Sequence, residues 1–228
     1  MMWGLPYVFG PSILILLPAL ALAIYAQWKV RSTYSRYARV ESERGVTAQS
    51  AALRLLEIAG IGDVTIESTS RRLSDHFDPR RKVLRLSAPD STSIAAVGIA
   101  AHEAGHAMQQ ARAYGPLALR SAIVPIANFG SQLAFPLFLI GLIAQAQPLI
   151  IAGIALFSVA VLFTLVTLPV EFDASRRAVG ALRETALVSE EELGAVKEVL
   201  FAAALTYVAA AAMAALQLVM LVSAGRRR

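Results

Sequence analysis

Three stretches of this chain carry no charged residue: 1–28, 121–170 and 199–225. Nothing else constrains its fold as strongly. A helix needs roughly 20 apolar residues to cross the hydrocarbon core of a bilayer. The first and last stretches fit one crossing each, and the middle one has room for two. Backbone N–H and C=O groups find no water inside a bilayer, so such segments become helices. The chain is also 57% hydrophobic and only 16% charged, too apolar for an ordinary soluble domain of 228 residues. The fold class read from this is mainly α and integral to a membrane, with about four transmembrane helices.

Charge is distributed unevenly. Thirteen of the 21 Lys and Arg lie between Lys29 and Arg112, beside nine acidic residues. A cytoplasmic face is the simplest cause of such a bias. Nucleic-acid binding is the rival reading of a basic patch; here the basic residues are scattered and adjoin apolar spans, so no nucleic-acid partner is expected. There is no cysteine, which removes disulfides and thiolate metal ligands alike. The N-terminus lacks a basic n-region and its apolar run is long, so it reads as a retained anchor and not as a cleaved signal.

Five segments follow. Residues 1–28 form an N-terminal anchor, with a span from about Leu5 to Trp28 that Pro6, Pro11 and Pro18 can kink. Residues 29–116 form a polar domain. In it Thr47 caps a helix to Ile58, which Gly60 and Gly62 end. Val64–Glu67 and Lys82–Ser87 alternate like strands, and a small β-hairpin or sheet is the economical reading. The polar run Leu73–Pro79 is the turn between them. A helix then runs from Ser91 or Thr92 to Ala113, and Gly115-Pro116 stops it. Residues 117–170 form a transmembrane hairpin that breaks at Gln145–Pro148. Residues 171–198 hold a polar helix, Glu171 to Arg183, and the start of another at Glu190 with Ser189 as its cap. Residues 199–228 form the last span and a basic tail, Arg226-Arg227-Arg228. With four spans that tail falls outside, against the basic bias.

The chemistry sits in His102-Glu-Ala-Gly-His106. Histidines four residues apart lie on one helix face, one turn apart, and can share one Zn²⁺. Glu103 points about 100° around the helix from His102. It is placed to take a proton from a metal-activated water as that water attacks a carbonyl. Ala104 and Gly105 leave room for the ion and an opposing chain. A chance match in a chain of this size is on the order of one in a few hundred.

Two histidines do not complete a catalytic zinc site; a third protein ligand is needed, with one position left open. The only other histidine is His76, so a carboxylate is expected. Glu171 is the best candidate, the first charge after 50 uncharged residues. The rival reading is an interfacial carboxylate marking the end of a span, which is common. Topology favours the ligand reading, because two spans between His106 and Glu171 return the chain to the side it left. The site is then expected at the membrane surface.

AAHEAGHAMQ, the upstream SDHFDPRRKVLRLS and the downstream LPVEFDASRRA together resemble the YugP-like neutral zinc metallopeptidases, membrane proteins of bacteria. The resemblance covers nearly the whole chain. It implies one zinc per chain, held by His102, His106 and Glu171 in a juxtamembrane gluzincin-like domain, with Glu103 as base. It also implies a multi-pass protein of the bacterial inner membrane. A more distant likeness is to HtpX-type proteases, whose later ligand helix reads E-aromatic-x-A-D. This chain has Glu171-Phe172-Asp173-Ala174-Ser175, with Ser175 in place of the Asp that could orient a zinc-bound histidine. Either Ser175 does this, or Asp173 or another carboxylate does.

The DHFDPR run has two readings. His76 could stabilise an oxyanion, with Asp75 and Asp78 orienting it, or the run is an ordinary turn. The strand KVLRLS could offer an edge to an extended substrate. Arg80, Arg81 and Lys82 are either solvated charges or contacts to anionic lipid. The expected function is a zinc endopeptidase acting on proteins or peptides at or near the bilayer. Two rivals are a site-2-type intramembrane protease, for which the apolar run Ile94–Ala101 is too short, and a non-enzymatic membrane scaffold with a structural metal. Homo-oligomers and membrane partner proteins are left open.

Overall fold

The computed structural model describes residues 14–70 and 74–226. Pro6, Pro11 and the expected start of the first span lie outside the described residues, as do Leu73 and the Arg227-Arg228 end of the tail. A 3-10 turn, Leu14–Leu16, leads into α1 (Leu17–Tyr37). Then come α2 (Ala48–Ile58), β1 (Thr65–Ser68), β2 (His76–Asp78), β3 (Val83–Leu86), α3 (Ile94–Ala111), α4 (Gly115–Ile143), α5 (Gln147–Thr185) and α6 (Glu190–Arg226). Four of these segments are long and apolar enough to cross a membrane: Leu14–Tyr37, Gly115–Ile143, Gln147–Thr185 and Glu190–Arg226. This agrees with the count read from the charge-free stretches.

The chain divides into two compact units. One draws on Met1–Ala26, Leu119–Leu168 and Thr206–Arg228. Its small core is Phe138, Leu142, Ile150, Leu221 and Ala224, with Ile154 and Phe157 against it. Glycines allow the helices to touch. A Cβ on Gly141 would lie 2.7 Å from the Ile150 nitrogen, and one on Gly153 would lie 2.7 Å from the Ala134 oxygen. Small residues at helix contacts are how apolar helices pack without water to drive them together. Ile126, Phe129, Ile140 and Ile143 face outward, as lipid-exposed side chains would. The turn between α4 and α5 falls at Ala144–Ala146, with Gln145 in the left-handed region at φ 55°.

The other unit comprises Gln27–Ala118 and Pro169–Leu205. Its centre is α3, buried on nearly every side by small residues: Ala95, Gly98, Ala100, Ala101, Ala104, Gly105 and Ala107. A helix apolar all round belongs in a core. Helix α2 buries Ala48, Ala51, Ala52, Leu55 and Leu56, a stripe at helical spacing. Ala178, Leu182, Leu193, Val196 and Leu200 from α5 and α6 join the same core. Both helix starts are capped: Thr47 accepts from the Ser50 N–H at 3.1 Å, and Ser93 from the Ala96 N–H at 3.3 Å. Ser93 moves the start of α3 slightly later than expected.

The sheet corrects the expected hairpin. Its order is β1-β3-β2. β1 runs parallel to β3 (Thr65↔Val83, Ile66↔Leu84), while β2 is antiparallel to it (Phe77↔Leu84). The hairpin is therefore β2–β3, and the polar run expected as a turn contains a strand. Its tight turn is made by Asp78, which accepts from the N–H groups of Arg80 and Arg81 at 2.9 and 3.2 Å, and by Lys82 at φ 54°. Only Phe77 among the three β2 residues is apolar, so alternation had little to show. β3 is the central strand, with Val83, Leu84 and Leu86 buried. KVLRLS therefore has no free edge to offer a peptide.

A second difference lies at the end of the long apolar run. No break separates it from the polar helix expected at Glu171. α5 runs unbroken from Gln147 to Thr185 with Pro169 inside it, and α1 likewise continues past Trp28 to Tyr37. Glu171 thus sits within a helix and not at a loop. Against it, a Cβ on Gly105 would meet the Ala174 backbone, 3.0 Å from its carbonyl carbon and closer still to its oxygen.

Gly105→Ala should therefore cost about 1–3 kcal/mol through overpacking. Gly180 on the same α5 has open space around it, so Gly180→Ala should be neutral or stabilising by up to about 1 kcal/mol. Thermal unfolding in detergent checks this. Equal midpoints for the two variants would refute the close approach.

Candidate metal centre

α3 supplies His102, Glu103 and His106, and α5 supplies Glu171. The structure brings both histidines and Glu171 together, with one ligand-capable atom from each all within 4.8 Å of one another. His102 Nε2 lies 3.2 Å from Glu171 Oε2, and His106 Nε2 lies 3.7 Å from the same oxygen. Ligands of a tetrahedral zinc at about 2.0–2.1 Å stand roughly 3.3 Å apart, so these separations fit one ion. The imidazoles meet edge to face, with centroids 4.7 Å apart. Two nitrogens and one carboxylate oxygen also suit a borderline-soft divalent cation. Among the described residues no fourth His, Cys, Asp or Glu joins the group.

Glu103 is buried beside these donors and stays outside the group. Its Oε2 accepts from the backbone N–H of Phe77 at 2.8 Å. Strand β2 thus holds one end of the carboxylate. The β2–β3 turn is held in the same way, because Gln110 Nε2 donates to the Pro79 carbonyl at 2.7 Å.

The remaining candidates divide. Ser175 reaches the site: its Oγ lies 3.1 Å from His102 Nδ1. Asp173 is buried on α5 and accepts from Arg176 and from Arg177, the latter at 2.5 Å. It touches neither histidine directly. Asp75 accepts from the Ser87 N–H and hydroxyl at 2.8 and 2.6 Å, bracing the loop before β2. Asp78 closes the β2–β3 turn. His76 is exposed, with Nδ1 2.7 Å from the Ser74 carbonyl and Nε2 3.2 Å from Arg85 Nη1. The carbonyl takes its ring proton and Arg85 its lone pair. In this arrangement both ring nitrogens have partners at the start of β2.

Sequence reasoning missed Gln109. It is fully buried, and its Oε1 lies 3.0 Å from His106 Nδ1. Its Nε2 donates to the Val170 carbonyl at 2.8 Å and to Asp173 Oδ2 at 2.9 Å. A signal was present: an amide three residues after His106 lies on the same helix face.

Two comparisons bear on the chain. The family described as "Putative neutral zinc metallopeptidase" matches residues 12–226. "Putative membrane protease YugP" of Bacillus subtilis (strain 168) is 45% identical over 208 residues, covering 90% of this chain and 92% of that protein. No solved structure matches.

The charges around His106 set a pH dependence. Burial pushes its imidazolium toward losing the proton, but the Glu171 hydrogen bond, the negative charges of Glu103 and Glu171, and Gln109 outweigh this and raise its pKa. A metal takes the neutral imidazole. Zinc must therefore displace a proton below that raised pKa. Affinity should fall with acidification by about tenfold per pH unit for each proton displaced, and level off above it. Chelator competition across the imidazole range checks this. An affinity that does not change with pH would refute it.

Proposed function

We propose that this chain, which belongs to the family described as "putative neutral zinc metallopeptidase", is a membrane-bound zinc endopeptidase that cleaves proteins or peptides at or near the bilayer. The observation that carries the reading is the convergence of His102, His106 and Glu171, with Glu103 buried beside them. The three donors would hold one zinc. When bound, zinc supplies Lewis acidity that activates water and polarises the scissile carbonyl. Glu103 takes the water's proton and passes it to the leaving amine. The Phe77 N–H fixes Oε2 of that carboxylate and leaves Oε1 for the water. His102 and His106 are held at Nδ1 by Ser175 and Gln109, which would leave Nε2 of each turned toward the ion.

The rival readings find less support. A structural zinc site usually has four protein ligands, and the described residues offer three. A site-2-type protease places its motif in a spanning helix, whereas α3 is not among the four apolar candidates. The basic bias of residues 29–112 favours a cytoplasmic catalytic face in a bacterial inner membrane. Support for substrates near the membrane comes from the four apolar candidate spans and from the place of Glu171 just behind the apolar run of α5.

Glu103→Gln should keep one zinc per chain and lose about 10²–10⁴-fold in peptide cleavage. His102→Ala and Glu171→Ala should lose the zinc as well. Metal analysis of protein purified in detergent, with cleavage of a membrane-protein substrate, reads both. Cleavage retained by zinc-loaded Glu103→Gln would sink the mechanism.

A further inference from the structure

Gln109 is a primary amide with no exposure, so its polar atoms must find partners or cost stability. Its two Nε2 protons go to the Val170 carbonyl and to Asp173 Oδ2. Both partners can only accept. An inverted amide would aim Oε1 at two acceptors and waste both protons, so the orientation is fixed by chemistry. Oε1 must then face His106 Nδ1, and an amide oxygen also only accepts. The His106 proton therefore sits on Nδ1. The lone pair remains on Nε2, which faces Glu171 Oε2 at 3.7 Å.

We propose that Gln109 is a positioning residue that locks His106 in its Nδ1–H tautomer, and so presents Nε2 to the metal. Asp173 sets the direction of the relay. Arg176 and Arg177 hold it as a carboxylate, and the Arg177 guanidinium lies over the Tyr114 ring, 5.5 Å from its centroid. His106 donates to the Gln109 amide, the amide donates to Asp173, and Arg177 donates to the same carboxylate. Such linked bonds polarise each other. A carboxylate touching the imidazole is one familiar arrangement; here an amide stands between them. His102 lacks this device. Its partner is the Ser175 hydroxyl, which can donate or accept and so suits either tautomer.

The inference rests on the zinc-peptidase reading for its consequence, but the tautomer can be read without metal. The chain has three histidines, so ring ¹⁵N signals of the full-length, metal-stripped protein in detergent can be assigned with a His106→Ala control. Above the imidazole titration range, wild-type His106 should show the Nδ1–H pattern. Gln109→Leu should bring in the Nε2–H form and weaken Zn²⁺ binding about 10–100-fold by chelator competition. Gln109→Glu should recover most of that affinity. Its protonated carboxyl keeps a donor for Asp173 and an acceptor for His106. If Gln109→Leu does not fold, Asp173→Asn serves instead: it frees the amide to turn over and should also mix the tautomers.

An Nε2–H signal in the wild type would overturn the inference. So would unchanged zinc affinity and tautomer in a folded Gln109→Leu protein. Wild-type protein that binds no zinc but shows the Nδ1–H pattern would support the relay and sink the peptidase reading.

Discussion

The metal centre depends on how closely two helix backbones can approach. α3 and α5 meet where Gly105 faces the Ala174 carbonyl. The pairing around that contact runs in opposite directions: His102 meets Ser175, and Gln109 meets Val170. His102 and His106 stand three before and one after Gly105. Glu171 and Ser175 stand three before and one after Ala174. One close crossing therefore brings both histidines to one carboxylate. A side chain at Gly105 would meet the Ala174 backbone and push α5, with Glu171 on it, away from the histidines. The glycine of the motif is there for distance.

The same closeness imposes a cost in buried polar groups. Glu103, His106, Gln109, Glu171 and Asp173 all lie inside this unit, where an unpaired polar atom is expensive. Each has a partner. Glu103 has the Phe77 N–H, His106 has Gln109, Gln109 has Val170 and Asp173, and Asp173 has two arginines. Glu171 faces both imidazoles. The sheet thus earns its place less by size than by holding the Phe77 amide against the base. Its short strand β2 serves the site through a backbone N–H, while Phe77 packs its side chain against the core.

Much of this was legible beforehand, because the relevant signals are local. Charge-free runs mark helices in lipid whatever their neighbours do. Thr47 and the Ser91–Ser93 cluster mark helix starts, and HEAGH marks one helix face. Pairing two spans between His106 and Glu171 was enough to point at the distant carboxylate. What was hidden is long-range. The parallel β1–β3 pairing depends on which strand fills the centre of the sheet, and the residue alternation of either strand is the same for both partners. Strand β2 has three residues and one apolar side chain, so no period could show it. Gln109 was hidden for another reason: an amide near a histidine is common, and only its burial against Asp173 and Val170 gives it a role.

The two histidines are supported unequally, and this bears on the charge at the centre. His102 has a neutral hydroxyl beside it. His106 has a neutral amide, and the carboxylate behind that amide is offset by Arg176 and Arg177. Glu171 is then the one carboxylate among the three donors. A divalent ion held by two neutral imidazoles and one carboxylate keeps a net positive charge, which favours Lewis acidity. A carboxylate touching each imidazole would make both ligands more basic and draw that charge down. Ser175, where HtpX-type proteins carry Asp, and Gln109, standing between Asp173 and His106, act in the same direction. Each holds an imidazole in place through a neutral group.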